Sequence, residues 1–266
     1  MTVSGSSAVA GDADYLSTGE AIGLGAASLV VFKSGNCIKR MNAHVAPRWV
    51  KPPGFDEKIS RFLGREAGIE RQNILDSDFG SAITTLGAGL CLGLTDWHHP
   101  RSDRSKDLWQ GQFVFYSGAL TTKGITDIFK GIVARQRPLL YCEPELAATR
   151  PNPNQADDHY SFFSGHAASA FYAMTFLNLR IRAAMRQGMT TESYRSQRWL
   201  PSTLCFGWAG YVAFSRIQAY RHYLTDILAG SLVGYLLGEL YYSLNDGIKP
   251  KDNSGSFLYL QIRIGF

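Results

Sequence analysis

Six stretches of the chain are apolar and nearly free of charge: Ala21 to Phe32, Phe79 to Thr95, Leu108 to Thr122, Tyr160 to Leu179, Trp199 to Ser215 and Ile227 to Asn245. Their length and periodicity predict helices. The expected fold is therefore all-α, a six-helix bundle. Charged residues are only 18% of the 266 and hydrophobic ones 45%, against the roughly 25% charged of an ordinary soluble domain. A disordered chain and a miniature scaffold are both excluded.

Whether the bundle sits in a membrane turns on the last stretch. Ile227 to Asn245 is apolar nearly all round, broken only by Glu239, and carries Gly230, Gly234 and Gly238 at four-residue spacing. Such a ridge lets helix backbones approach closely, as in membrane helices. Most of the six stretches fall short of the roughly 20 residues that span a bilayer, and the mean hydropathy of −0.10 is low for six spans. A membrane-embedded bundle is the expectation, in a bacterial-type cell envelope with its site facing the periplasm. A soluble periplasmic bundle is the alternative.

Other features narrow the function. The net charge of +5 is scattered, so nucleic acid is not the expected partner. Cys37, Cys91, Cys142 and Cys205 are far apart and form no metal-binding pair. Met1 to Glu20 has neither the basic start nor the long apolar run of a secretory signal. Lys33 to Asp78 reads as a connection with a short surface helix over Asp56 to Glu66. Arg101 to Asp107 and Arg180 to Arg198 read as polar connections, Pro138 to Asp158 as an extended loop, and Phe257 to Phe266 as strand-like. His98 and His99 point in different directions on any regular backbone and predict no metal site. A single domain over 1–266 is expected, with residues 1–78 as N-terminal helix and connection and a motif-bearing core over 108–245.

Three short segments carry candidate chemistry. Lys130 and Arg137 are seven residues apart, so a continuing helix places both cations on one face until Pro138 breaks it. Ser164, Gly165 and His166 open the fourth stretch, with Ser as helix cap, Gly allowing close backbone approach and free N–H groups suited to an anion. Ser215 and Arg216 are followed by His222 and Asp226. A helix beginning near His222 would bring the carboxylate at i+4 onto the imidazole and fix its tautomer. Taken singly, each segment reads more readily as a basic helix end, an ordinary cap or a surface pair than as a site.

Together, Lys130-x6-Arg137-Pro138, Ser164-Gly165-His166 and Ser215-Arg216-x5-His222-x3-Asp226 resemble the signature of the type 2 phosphatidic acid phosphatase superfamily, which includes membrane lipid phosphatases, bacterial acid phosphatases and vanadium haloperoxidases. One departure is Phe163, where the family usually has Pro. The resemblance implies a phosphatase acting on a lipid-linked phosphate monoester or pyrophosphate, with the site at one end of the core helices. Lys130, Arg137, Ser164, Gly165 and Arg216 would cradle the phosphate. His222, oriented by Asp226, would attack phosphorus, and His166 would protonate the leaving alkoxide. These cations neutralise the phosphate oxygens, so no metal or other cofactor is expected. A soluble acid phosphatase, a vanadate-dependent haloperoxidase and a non-catalytic membrane protein retaining the pattern are the alternatives. Asp157, Asp158 and His159 are expected to solvate a loop. Arg135 and Arg221 are open between contact with a second phosphate or a lipid headgroup and simple solvated charges. Substrate identity and oligomeric state are left open by the sequence.

Overall fold

A computed structural model describes residues 15–42, 46–64, 78–101, 103–148 and 156–245. The strand-like C-terminal run over 257–266 lies outside the described residues. Among those described, the regular structure is helical: α1 (Thr18–Met41), α2 (Gly54–Leu63), α3 (Asp78–His98), α4 (Arg104–Val133), the short α5 (Pro138–Cys142) and α6 (Pro144–Ala148), a 3-10 turn over Ala156–His159, α7 (Gly165–Gly188), α8 (Thr191–Gln197), α9 (Trp199–Gln218) and α10 (Leu224–Asn245).

The six long helices are the six apolar stretches, each extended into polar residues at one or both ends. Local chemistry sets the ends. Ser17 and Glu20 form a capping box at the start of α1, with Lys39 and Arg40 in its last turn. Asp103 accepts from the Ser105 and Lys106 amides and starts α4. These extensions correct the expected connections. Lys33 to Met41 belongs to α1, Arg180 to Gly188 to α7, and Thr191–Gln197 to α8. Most of Arg101 to Asp107 is the capped start of α4, with Asp107 fully buried. Pro138 to Asp158 holds α5, α6 and the 3-10 turn instead of one extended loop. Periodicity cannot see a short helix bounded by prolines.

Close packing places one end of the bundle. Helices α1 and α4 meet at glycine: a methyl on Gly35 would overlap the Gly124 carbonyl, and one on Gly131 would stand 3.0 Å from Ile38. The Gly230, Gly234, Gly238 ridge of α10 lies on α7. A methyl on Gly230 would come within 2.5 Å of the Ser164 carbonyl oxygen, and one on Gly234 would overlap the Ala168 carbonyl. The ridge therefore fixes the first turn of α7 against the second and third turns of α10. Tyr172, Phe115, Phe176 and Tyr241 fill the core between α4, α7 and α10.

At the far end of α7, Arg180 and Asp96 form a buried ion pair with α3, and Arg180 Nη2 donates to the His99 carbonyl at 3.0 Å. Among the described residues, two helices, Thr18–Met41 and Leu224–Asn245, are long and apolar enough to cross a membrane.

Candidate active site

The C-terminal ends of α4 and α9 and the N-terminal ends of α7 and α10 converge at one end of the bundle. Lys130 lies in the last turn of α4. The helix ends at Ala134, held in the left-handed region at φ 45°, a conformation that costs a non-glycine residue about 1 kcal/mol or more. Lys130 and Arg137 therefore do not share a face of one helix. The chain turns at Ala134 and runs extended through Arg137, with Gln136 N–H donating to the Trp49 carbonyl at 3.0 Å and Arg137 N–H to the Asp158 carbonyl at 2.9 Å. Pro138 does not release a loop: it opens α5, where its missing N–H costs nothing.

Ser164 caps α7. Its side chain accepts from the Ala167 amide, and its own N–H donates to the Asp226 carbonyl at 3.0 Å. A methyl on Gly165 would stand 3.6 Å from Lys130 Nζ, so the Lys130 ammonium faces the opening turn of α7. A basic side chain facing a helix N-terminus is an arrangement that favours an anion. His166 is the next residue of that turn and is buried.

Arg216 is buried in the last turn of α9, and its carbonyl accepts from the Arg221 and His222 amides at 3.0 and 3.3 Å. This tight turn, with Tyr220 at φ 52°, delivers His222 to the site before α10 begins at Leu224. The expected helix does not start at His222, and the imidazole is not hydrogen-bonded to Asp226. Its Nδ1 is 2.7 Å from the Ser161 carbonyl oxygen and 3.8 Å from Asp226 Oδ2. A carbonyl only accepts, so the proton sits on Nδ1 and Nε2 keeps its lone pair. Burial, reinforced by Arg137, Lys130 and Arg216, holds His222 well below the ordinary histidine range. The ring is thus neutral near pH 7, and those three cations share its surroundings.

Asp226 does its work one step back. It accepts from Ser161 Oγ, from the Tyr223 amide at 2.9 Å and from Arg135 Nη1. Arg135 is neither a solvated charge nor at the surface. It is 1% exposed and lies between the rings of Trp49 and Tyr223. Its Nη2 donates to Asp56 at 2.8 Å. Asp56, on the helix expected at the surface, is fully buried, because α2 turns this face inward and leaves Phe55 and Phe62 outward. Asp157 also departs from its expected role. It pairs with Lys39 of α1 at 3.0 Å and lies 3.9 Å from Arg137. Burial opposes its ionisation, but Arg137 and Lys39 hold it below the usual carboxylate range.

Sequence reasoning passed over Asp56, Ser161, Thr225 and Lys39. Their one visible signal was modest: Asp56 and Ser60 are the only short polar residues four apart on the inward face of α2. Around the site Tyr160, Phe163, Tyr220 and Tyr223 are buried, and Phe162 is half-buried. Among the described residues no group of His, Cys, Asp and Glu is placed to hold a metal.

Two histidines, His166 and His222, and three basic side chains, Lys130, Arg137 and Arg216, thus gather at one end of an all-helical bundle. Residues 112–249 match the PAP2 superfamily, and the chain belongs to that family. It is 30% identical over 148 residues to human phospholipid phosphatase 2, an alignment covering 49% of this chain and 48% of the relative. It is 26% identical over 214 residues to a putative phosphatidate phosphatase of Drosophila melanogaster, covering 71% and 54%. The chain spans about half the length of these curated relatives. A crystal structure of a transmembrane PAP2 type phosphatidylglycerolphosphate phosphatase from Bacillus subtilis aligns at 18% identity and a TM-score of 0.46, covering 86% of this chain and 98% of that one.

Proposed function

We propose that this chain is a membrane-embedded phosphatase that hydrolyses a lipid-linked phosphate monoester or pyrophosphate through a phosphohistidine intermediate. The observation that carries the reading is His222: a neutral imidazole with Nδ1 committed to the Ser161 carbonyl and Nε2 bare, among Lys130, Arg137 and Arg216. The names of the relatives support a phospholipid substrate class.

In the first step Nε2 of His222 attacks phosphorus, an N–P bond forms and the P–O bond to the lipid breaks. Protonated His166 gives its proton to the departing alkoxide. In the second step water attacks phosphorus, His166 takes its proton, the N–P bond breaks and inorganic phosphate leaves. Lys130 opposes the non-bridging oxygens as a point charge, and Arg137 and Arg216 as forks. The amides at Ser164 and Gly165 complete the cradle, so charge stabilisation needs no other group in this scheme.

Embedding is supported by leucine stripes left bare on the bundle, Leu86, Leu90 and Leu94 on α3 and Leu228, Leu232 and Leu236 on α10, all more than half exposed. At about 1.5 Å per residue, the 22 residues of α10 match a hydrocarbon core of about 30 Å. Trp97, Trp109 and Trp199 are exposed at the end away from the site, as interfacial aromatics are.

His222→Ala tests the reading. Phosphate release from a phosphatidate micelle should vanish while the protein stays folded, and ordinary turnover in that variant would end the proposal.

A further inference from the structure

Arg135 sits two residues from Arg137 yet is used differently. Its guanidinium is taken up by protein: Nη2 donates to Asp56 Oδ2 at 2.8 Å, and Nη1 donates to Thr225 Oγ1 at 2.8 Å and to Asp226 Oδ1. Its faces are covered by Trp49 and Tyr223 at 3.9 and 4.2 Å. Asp56 is bound in turn by the Thr225 amide at 3.1 Å and the Thr225 hydroxyl. The circuit closes on the same segment that orients the imidazole. Asp226 accepts from Ser161 Oγ, the Ser161 N–H donates to the Arg135 carbonyl at 2.9 Å, and the Ser161 carbonyl lies 2.7 Å from His222 Nδ1. The main chain of Arg135 thus holds Ser161 directly, and its side chain holds it through Asp226.

We propose that Arg135 and Asp56 are positioning residues for phosphoryl transfer, fixing the His222 ring through Asp226 and Ser161 without touching phosphate. The proposal rests on the reading of His222 as nucleophile. Two carboxylates already occupy the Arg135 fork, which leaves phosphate to Arg137 and Arg216. Asp56 reaches across from α2, far away in sequence, so the precision of the nucleophile depends on the docking of that helix. Groups held this way matter to the transition state and little to ground-state binding, since a ring displaced by a fraction of an ångström still admits phosphate but meets phosphorus off line.

The test uses the full chain in detergent micelles with phosphatidate as substrate and inorganic phosphate as competitive inhibitor, each variant checked by thermal unfolding. Lysine at 135 keeps the charge but cannot bridge two carboxylates, and Asp56→Asn keeps the shape. Arg135→Lys and Asp56→Asn should lower kcat about tenfold or more while KM and the phosphate inhibition constant stay within about twofold. If Arg135→Lys does not fold, Asp56→Asn carries the test alone. The inference is overturned if a folded variant keeps kcat within about twofold of the parent, or if its inhibition constant rises as much as its kcat falls, the mark of a phosphate ligand. His222→Ala is measured alongside. Normal turnover there would refute the underlying nucleophile reading instead, whatever the Arg135 result.

Discussion

The imidazole of His222 is held by a main-chain oxygen, Ser161 O at 2.7 Å, while the carboxylate four residues along, Asp226, stops 3.8 Å short. A backbone acceptor cannot be removed by substitution, so the tautomer of His222 survives changes that would scramble a side-chain pair. Asp226 governs the position of that oxygen by gripping Ser161 Oγ and the Tyr223 amide.

Ser161→Ala follows directly. It keeps the carbonyl and loses the hydroxyl contacts to Asp226 and, at 3.5 Å, to the Arg221 carbonyl, the first worth about 1.5–3 kcal/mol at a charged partner. Phosphate release should fall about ten- to a hundredfold by that conversion and remain measurable. Loss as complete as in His222→Ala would show that the hydroxyl has a direct part in the chemistry.

Removing the carboxylate outright is a different matter. Asp226→Ala leaves Arg135 buried beside Asp56 with one partner gone, and breaking such a buried pair costs about 3–5 kcal/mol. Unfolding in detergent should occur at distinctly lower temperature, with activity lost. A variant as stable as the parent would mean that the Arg135 cluster contributes little to the fold.

The lowered His222 value sets a pH dependence of stability. In the unfolded chain this histidine takes up a proton near pH 6.5, whereas in the fold it stays neutral well below that. Between the two values the unfolded state binds more protons, so stability rises with pH and falls on acidification below about 6.5. Melting temperatures compared at pH 7.5 and 5.5 should show a smaller acid loss in His222→Asn than in the parent. Equal losses would mean that the folded imidazole titrates normally.

Asp157 is an anion already resident among the phosphate-directed cations, on Lys39 and near Arg137. Asp157→Asn should tighten competitive inhibition by inorganic phosphate about two- to fivefold, the scale of a half-exposed ion pair. Weaker inhibition would make Asp157 a supporting group for Arg137 and not a competitor of the substrate.

The glycine ridge makes a packing prediction. Gly234→Ala forces α10 away from the Ala168 carbonyl and should cost about 1–3 kcal/mol of stability, lowering activity because the start of α7 moves with it. Gly207→Ala on α9 meets nothing within 4 Å and should be neutral or slightly stabilising. Similar melting temperatures for the two variants would contradict the close approach.

The six long helices were legible because burial, whether in protein or in lipid, demands apolar residues over many turns. Their ends were not. Lys39 and Arg180 look like loop residues when only hydropathy is followed, yet both continue helices whose tips leave the apolar layer. The phosphate-directed residues were readable because each lies in a short contiguous pattern. Asp56 and Ser161 were not, since their roles arise from contacts with Arg135, Thr225, Asp226 and His222 that only the folded chain creates. The relation of His222 to Asp226 was misread for a similar reason: spacing of four implies a helical pair only if the helix includes both, and the turn at Tyr220 to Tyr223 leaves His222 outside it.

The central claim is that His222 carries the phosphoryl group. His166→Ala, mixed with an aryl phosphate whose good leaving group needs no acid, should complete the first step and stall at the second, because no base remains to activate water. Peptide mass spectrometry after rapid quenching should then find an acid-labile phosphate on the peptide containing His222, and none in the protein carrying His222→Ala as well. Phosphate on any other residue, or steady turnover with His222 replaced, would contradict the account.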